Sequence, residues 1–157
     1  MVPFELDRLD IRLLNLLQAN NLATAEELSA SVPLSPSAIT PRIRRLRDYG
    51  VIARDVAILA PALLADRVRG LVLIRLNAHG ESDDLEALRK SLADTSAVQL
   101  CFEISGSFDF GAIVVARDMK SFNAVVDEAI GNQPAVQRFE TNFFKRELKN
   151  SPMVMLE

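Results

Sequence analysis

Residues 24–52 read TAEELSASVPLSPSAITPRIRRLRDYGVI, two short amphipathic helical patterns that meet at Pro33-Leu34. Thr24 opens the first as its N-cap, and Glu27, three residues on, completes a capping box in which each side chain binds the other's free backbone amide. The second pattern starts after Ser35 or Ser37, either of which can cap it, with Pro36 in the first turn, where a missing amide hydrogen costs little. Ile39, Ile43 and Leu46 form its inward stripe. Positions three and four apart share a helix face, so Arg44 and Arg47 project outward with Ser37 and Thr40, while Arg42 and Arg45 lie on the flanks. Gly50 stops the helix. A supporting helix, a tight turn and a cationic second helix are what a helix-turn-helix requires, and they imply a protein that binds double-stranded DNA.

Upstream, Leu6, Leu9, Leu13, Leu16 and Leu17 predict a helix over 7–18 with Asp7 as its cap, ended by Asn20-Asn21. Downstream, residues 51–67 are short and mixed: Val56, Ile58 and Leu59 suggest a brief strand, broken by Pro61. Beyond this hinge the patterns are a strand over 68–77, a loop at His79-Gly80, a helix over 82–92, strands over 98–105 and 110–117 joined by a turn at 106–109, a helix over 119–131 and a strand over 136–144. That order, βαββαβ, is the ferredoxin-like arrangement, an antiparallel sheet with both helices on one face. The expected class is α+β, an N-terminal all-α, winged-helix-like helix-turn-helix followed by a ferredoxin-like domain. The expected boundaries are 1–53, a hinge over 54–67, and 68–157. The open face of such a sheet needs a cover, which predicts a homodimer through this domain.

Composition narrows the partners. With 157 residues, 49% of them hydrophobic, the chain can bury one good core or two small ones. Its net charge of −3 excludes a uniformly basic coat, so any DNA contact must come from a local patch. Residues 35–54 hold five arginines against Asp48 alone, a local excess of about +4. A charge run is commonly just a solvated face; the adjoining turn and capping box favour the DNA reading. Ser37, Thr40 and Arg44 are placed for base edges, Arg42, Arg45 and Arg47 for phosphate, and Ser35 stands at the helix entry. Cys101 is the single cysteine, which excludes an internal disulfide and suits a reducing cytoplasmic interior. Acids and arginines interrupt the first 22 residues, and no apolar run reaches the length of a membrane span, so a soluble protein is expected.

A second candidate site is Ile104 to Gly111, reading ISGSFDFG. A glycine turn exposes backbone amides and Asp109 offers a carboxylate, so the loop could hold a zwitterion; an ordinary hairpin turn is the plainer reading. Strand alternation puts Cys101 and Glu103 on one face and Leu100, Phe102 and Ile104 on the other, leaving Glu103 toward a subunit interface or water. His79, the only histidine, is expected in solvent. No metal-ligand spacing, catalytic triad or phosphate-cradling glycine motif is present, so neither a metal nor a cofactor is expected and the chain does not read as an enzyme. Asp83, Asp84 and Glu86 suit the first turn of a helix. The phenylalanines of the sheet could suggest RNA stacking, but the second domain carries more acids than bases, against that role.

The whole order of motifs resembles the Lrp/AsnC family of transcriptional regulators. Leu6-Asp7-Arg8-Leu9-Asp10-Ile11 is similar to its first helix, Leu34-Ser35-Pro36-Ser37 with Arg42-Ile43-Arg44-Arg45-Leu46 and Gly50-Val51-Ile52 to its recognition helix and exit, and Ser105-Gly106-Ser107-Phe108-Asp109-Phe110 to its sensing-domain signature. The resemblance implies promoter binding, dimers that assemble to tetramers or octamers, and an amino-acid effector held near Gly106, Ser107, Phe108 and Asp109, with Glu103 as a further contact. Three departures stand out: Pro33 where the family has the glycine of the turn, Pro41 inside the recognition helix, and Phe110 in place of a frequent tyrosine. Two other functions fit the same plan, a siroheme-decarboxylase-like enzyme and an assembly module with a vestigial helix-turn-helix.

Overall fold

A computed structural model describes residues 5–77 and 82–157. The chain divides into two compact units, residues 1–58 with 149–157, and residues 59–148. The last nine residues, expected with the sheet, thus belong with the N-terminal helices. The loop expected at His79-Gly80 lies outside the described residues.

The N-terminal unit holds helices α1 (Arg8–Ala19), α2 (Ala25–Ser29) and α3 (Pro36–Asp48). Asp7 caps α1 by accepting from the amides of Leu9 and Asp10, both at 2.8 Å. The Thr24/Glu27 box forms as expected. Leu13 and Leu17 of α1, Leu28 of α2, Val32 and Ile39 of α3 make one core, with Ile43 and Ile52 packed on it. Pro33 cannot take the left-handed conformation of a glycine, and the turn closes another way: the Leu34 N–H donates to the Val32 carbonyl at 2.8 Å, a three-residue turn centred on the proline. Ser35 occupies the N-cap position of α3 without a side-chain cap bond; its hydroxyl is paired with that of Ser37 at 2.9 Å. The helix runs through Pro41. It ends at Gly50, whose φ of 72° is the left-handed region a glycine enters without strain. The Ile52 N–H then returns to the Leu46 carbonyl at 3.0 Å, bringing Ile52 onto the core.

The brief strand expected around Val56 to Leu59 does not form. That stretch is irregular, with Val56 and Ile58 each 64% exposed, because among the described residues no neighbouring strand offers a ladder. A single 3₁₀ turn follows over Pro61–Leu64. No strand, and so no wing, appears among the described residues of the N-terminal unit.

The second unit has strands β1 (Val68–Leu76), β2 (Val98–Glu103), β3 (Phe110–Ala116) and β4 (Val136–Phe143), with α4 (Ser82–Asp94) after β1 and α5 (Met119–Val126) after β3. The sheet order is β2-β3-β1-β4, every pair antiparallel. Helix α5 continues into one π-helical turn, Asp127–Gly131, closed by the Asn132 N–H on the Asp127 carbonyl at 2.8 Å. Val72, Ile74, Phe110, Ala112, Val114 and Ala116 share a core with Leu88 and Leu92 of α4 and Phe122, Val126 and Ile130, so both helices cover one sheet face. Alternation leaves Leu71, Leu73, Ile113, Val115, Leu100 and Phe102 on the other face. Phe102 is 54% exposed and Leu100 46%, large apolar groups left open to water on a single chain.

Candidate functional site

Helix α3 presents Ser37, Thr40, Arg44 and Arg47 as one exposed stripe, while Ile39 and Leu46 are fully buried on the opposite side. The arginines differ in what they touch. Arg42 donates through Nη1 to Asp7 Oδ2 at 2.6 Å and to Asp10 Oδ1 at 2.8 Å, and Arg45 Nη2 reaches Asp10 Oδ2 at 3.0 Å. Arg47 Nε binds Asp55 at 3.1 Å. Arg44 makes no ion pair or hydrogen bond among the described residues. The excess of about +4 counted along the segment is therefore smaller in space, because Asp7, Asp10 and Asp55 lie outside the counted stretch but against its arginines. Thr40 turns its hydroxyl back to the Pro36 carbonyl at 3.2 Å.

Asp10 is the residue the sequence reading passed over. It has no exposure and is the one charged side chain buried in the described core. A buried carboxylate is stable only when its oxygens are satisfied. Here they take two guanidinium groups and, at 3.3 Å, the Asp7 amide. The signal was present: Asp10, Leu13, Leu14 and Leu17 are the buried residues of α1, so an acid stands on its apolar stripe at helical spacing. Arg42 also holds the Asp7 carboxyl below the usual aspartate range, chiefly by its direct hydrogen bond.

In the sheet unit, the glycine loop is fastened to β1. The Asp109 N–H donates to the Ile74 carbonyl at 2.9 Å, and Asp109 Oδ2 accepts from the Leu76 N–H at 2.9 Å. Arg75 approaches the same oxygen at 3.5 Å and the Ser107 carbonyl at 3.3 Å. Gly106 has a φ of 135°, a conformation L side chains rarely adopt. The Phe108 ring lies 5.4 Å below the Arg138 guanidinium. Asp109 thus spends one oxygen on building the hairpin, and the zwitterion expected there would meet a partly satisfied carboxylate.

Glu103 points away from the open sheet face. Its Oε1 accepts from Arg89 Nε of α4 at 2.7 Å, which keeps its carboxyl below the ordinary glutamate range. The pair sits on a pocket of about 450 Å³ between α4 and β2, walled by Leu92, Ala93, Val98, Cys101, Phe102 and Phe110. Burial, and then the negative Glu103, raise the Cys101 thiol. The cation at the rim of this apolar cavity is bound by Glu103 and by Glu86 of its own helix, so a zwitterion would have to exchange with these contacts to use the pair. Arg89 was not singled out from sequence, because its pairing with Glu103 joins a helix to a strand and has no short-range spacing.

Comparison with known proteins places both halves. Residues 6–47 match the AsnC-type helix-turn-helix domain and residues 70–154 the Lrp/AsnC ligand binding domain. An uncharacterised HTH-type transcriptional regulator of Sinorhizobium fredii is 33% identical over 98% of this chain and 90% of its own. The leucine-responsive regulatory protein of Escherichia coli K12 is 31% identical over 98% of this chain and 93% of its own. Among solved structures, a transcriptional regulator of Neisseria meningitidis in complex with L-Met superposes with a TM-score of 0.84 at 27% identity, covering 96% of each chain.

Proposed function

The chain belongs to the Lrp/AsnC family of helix-turn-helix transcriptional regulators with a ligand-binding domain, and we propose that α3 reads specific operator DNA through Ser37, Thr40 and Arg44. The observation that carries this is the exposed Arg44 in the middle of the outward stripe, unpaired among the described residues. An arginine so placed can donate two parallel hydrogen bonds to a guanine edge, a contact of about 1–3 kcal/mol. Arg47 and the entry hydroxyl of Ser35 serve phosphate. Arg42 keeps donors beyond the Nη1 bound by Asp7 and Asp10, and the shared pairing with Asp10 fixes Arg42 and Arg45 in place beside the DNA backbone.

The ligand of the second unit is an amino acid, held as a zwitterion by Arg89 and Glu103, with Gly106, Ser107, Phe108 and Asp109 as the neighbouring loop. Support comes from the charge pair at the mouth of an apolar pocket and from the L-Met complex of the Neisseria relative. Two copies of the chain cover each other's open sheet faces, and such dimers assemble further to tetramers or octamers in the cytoplasm. The chain acts by binding rather than by catalysis.

A mobility-shift titration tests the first half. Arg44→Ala should weaken operator binding on the order of tenfold or more with helicity unchanged; unaltered affinity at physiological salt would remove Arg44 from the interface. A thermal-shift screen of common amino acids, L-methionine and L-leucine first, tests the second, since a ligand of the folded state raises the melting temperature by mass action. If no amino acid shifts melting or alters DNA affinity, the effector assignment fails.

A further inference from the structure

The chain's last residues do not end in the sheet unit. Residues 149–157 group with the N-terminal helices, and α1 binds them through two carboxamides one turn apart. Gln18 Oε1 accepts from the Val154 N–H at 2.8 Å while Gln18 Nε2 donates to the Val154 carbonyl at 2.8 Å. Asn15 does the same for Leu156, with both bonds at 3.0 Å. Residues two apart show their backbone groups on one edge of an extended strand, and positions three apart share a face of a helix, so the two amides meet the tail in register. Nearby, Pro152 and Met153 help line a cavity of about 230 Å³ with Leu14, Leu17, Ile52 and Ile58.

The sheet unit shows where this tail comes from. Strands β1 and β4 are antiparallel neighbours, Gly70 opposite Phe143, and the Phe144 N–H donates to the Arg69 carbonyl at 2.9 Å. The chain enters this unit before β1 and leaves it after β4, at the same end of two paired strands. Two covalent cords, not one, therefore run between the units.

We propose that residues 149–157 are a strap, that Asn15 and Gln18 form its binding site on α1, and that its docking restrains the rotation of the DNA-binding unit about the hinge. One cord leaves a unit free to turn about the single bonds of its linker. A second, fixed at both ends, removes most of those orientations. The carboxamides read backbone only, so the dock selects an extended strand rather than particular side chains. The consequence for DNA rests on the operator reading above: a restrained pair of helix-turn-helix units should be sensitive to the rotational phase of its two half-sites, which recurs once per duplex turn.

Three proteins test this: the full chain, Asn15→Ala/Gln18→Ala, and a chain ending at Asn150. Alanine is the better helix former, so α1 should survive in the double variant, and far-UV circular dichroism checks it. In the full chain the Val154 and Leu156 amides should exchange with deuterium on the order of tenfold more slowly than that of Met155, and the double variant should lose the difference. Tyr49 is the only tyrosine and there is no tryptophan, so its fluorescence anisotropy decay reports motion at the end of α3. A fast component should appear in both strapless proteins. On operators whose half-sites are moved by about half a duplex turn, the full chain should discriminate phase and the strapless ones should not. Equal exchange at residues 154 to 156 in the full chain, or an unchanged anisotropy decay without the strap, overturns the proposal. So does phase discrimination that survives strap removal. Absence of DNA binding by all three would defeat the operator reading instead, with exchange and anisotropy still deciding on the strap.

Discussion

Asp7 has two tasks at one position, and they can be separated by a single substitution. As N-cap it accepts from the amides of Leu9 and Asp10, and as an anion it meets Arg42 at 2.6 Å. Because its carboxyl titrates lower in the folded chain than in the unfolded one, the folded state binds fewer protons there. Its contribution is complete above an aspartate's ordinary value of about 3.9 and disappears as the pH falls through the lowered native value. Asn caps a helix about as well as Asp but has no proton to gain. Asp7→Asn should thus leave α1 in place and flatten the acid limb of the N-terminal unit's stability below about pH 4, followed by helicity at 222 nm. An acid limb identical to wild type would mean that the Arg42 contact contributes nothing to folding. Asp10 differs, since it has no exposure and holds two arginines at once.

At the scale of elements, local chemistry was legible and long-range pairing was not. The Thr24/Glu27 box, the stop at Gly50 and the βαββαβ order all follow from short spacings, and each element lies where its pattern put it. The stretch around Val56 to Leu59 has strand-forming residues, but a strand also needs a neighbour, which no spacing supplies. The tail shows the same limit more sharply. Asn15 and Gln18 bind backbone, so nothing in the side chains of residues 150–157 announces the dock. Arg89 and Glu103 are another such pair, 14 residues apart. Packing of elements also explains one glycine. A Cβ at Gly70 would lie 2.9 Å from Phe122 Cζ and 3.3 Å from Thr141 Cγ2. Phe122 is buried and its ring rests 5.1 Å from that of Phe143, so it cannot retreat easily. Gly70→Ala should cost the sheet unit about 1–3 kcal/mol in urea denaturation, and Phe122→Leu in the same chain should recover part of it. Full stability of Gly70→Ala would show that α5 shifts freely on β1.

For the whole molecule, the open sheet face is where fold and function meet. Leu71, Leu73, Ile113 and Val115 lie on its two central strands, with Leu100 and Phe102 on the edge strand β2. Gly111 faces this side too: a Cβ there would touch Leu73 and Leu71 at 3.7 and 3.8 Å. On a lone chain this surface costs hydration free energy, and the proposed second copy would remove the cost by covering it with the same residues, as a two-fold interface does. A specific interface of ordinary size buries about 1,600 Å² in total, which a four-stranded face can supply. Leu73→Asp tests this without disturbing the core, since Val72 and Ile74 beside it point to the helices. A carboxylate in the middle of each buried face, set against its symmetry mate's, should disfavour pairing by several kcal/mol. Light scattering should then report a monomer with native circular dichroism. Its affinity for a single half-site should be kept, while that for a paired operator falls toward the single-site value, because linked binding gains its strength from effective concentration. If the Leu73→Asp protein stays dimeric, the apolar face has some other cover and the two DNA-binding units are paired by a different surface.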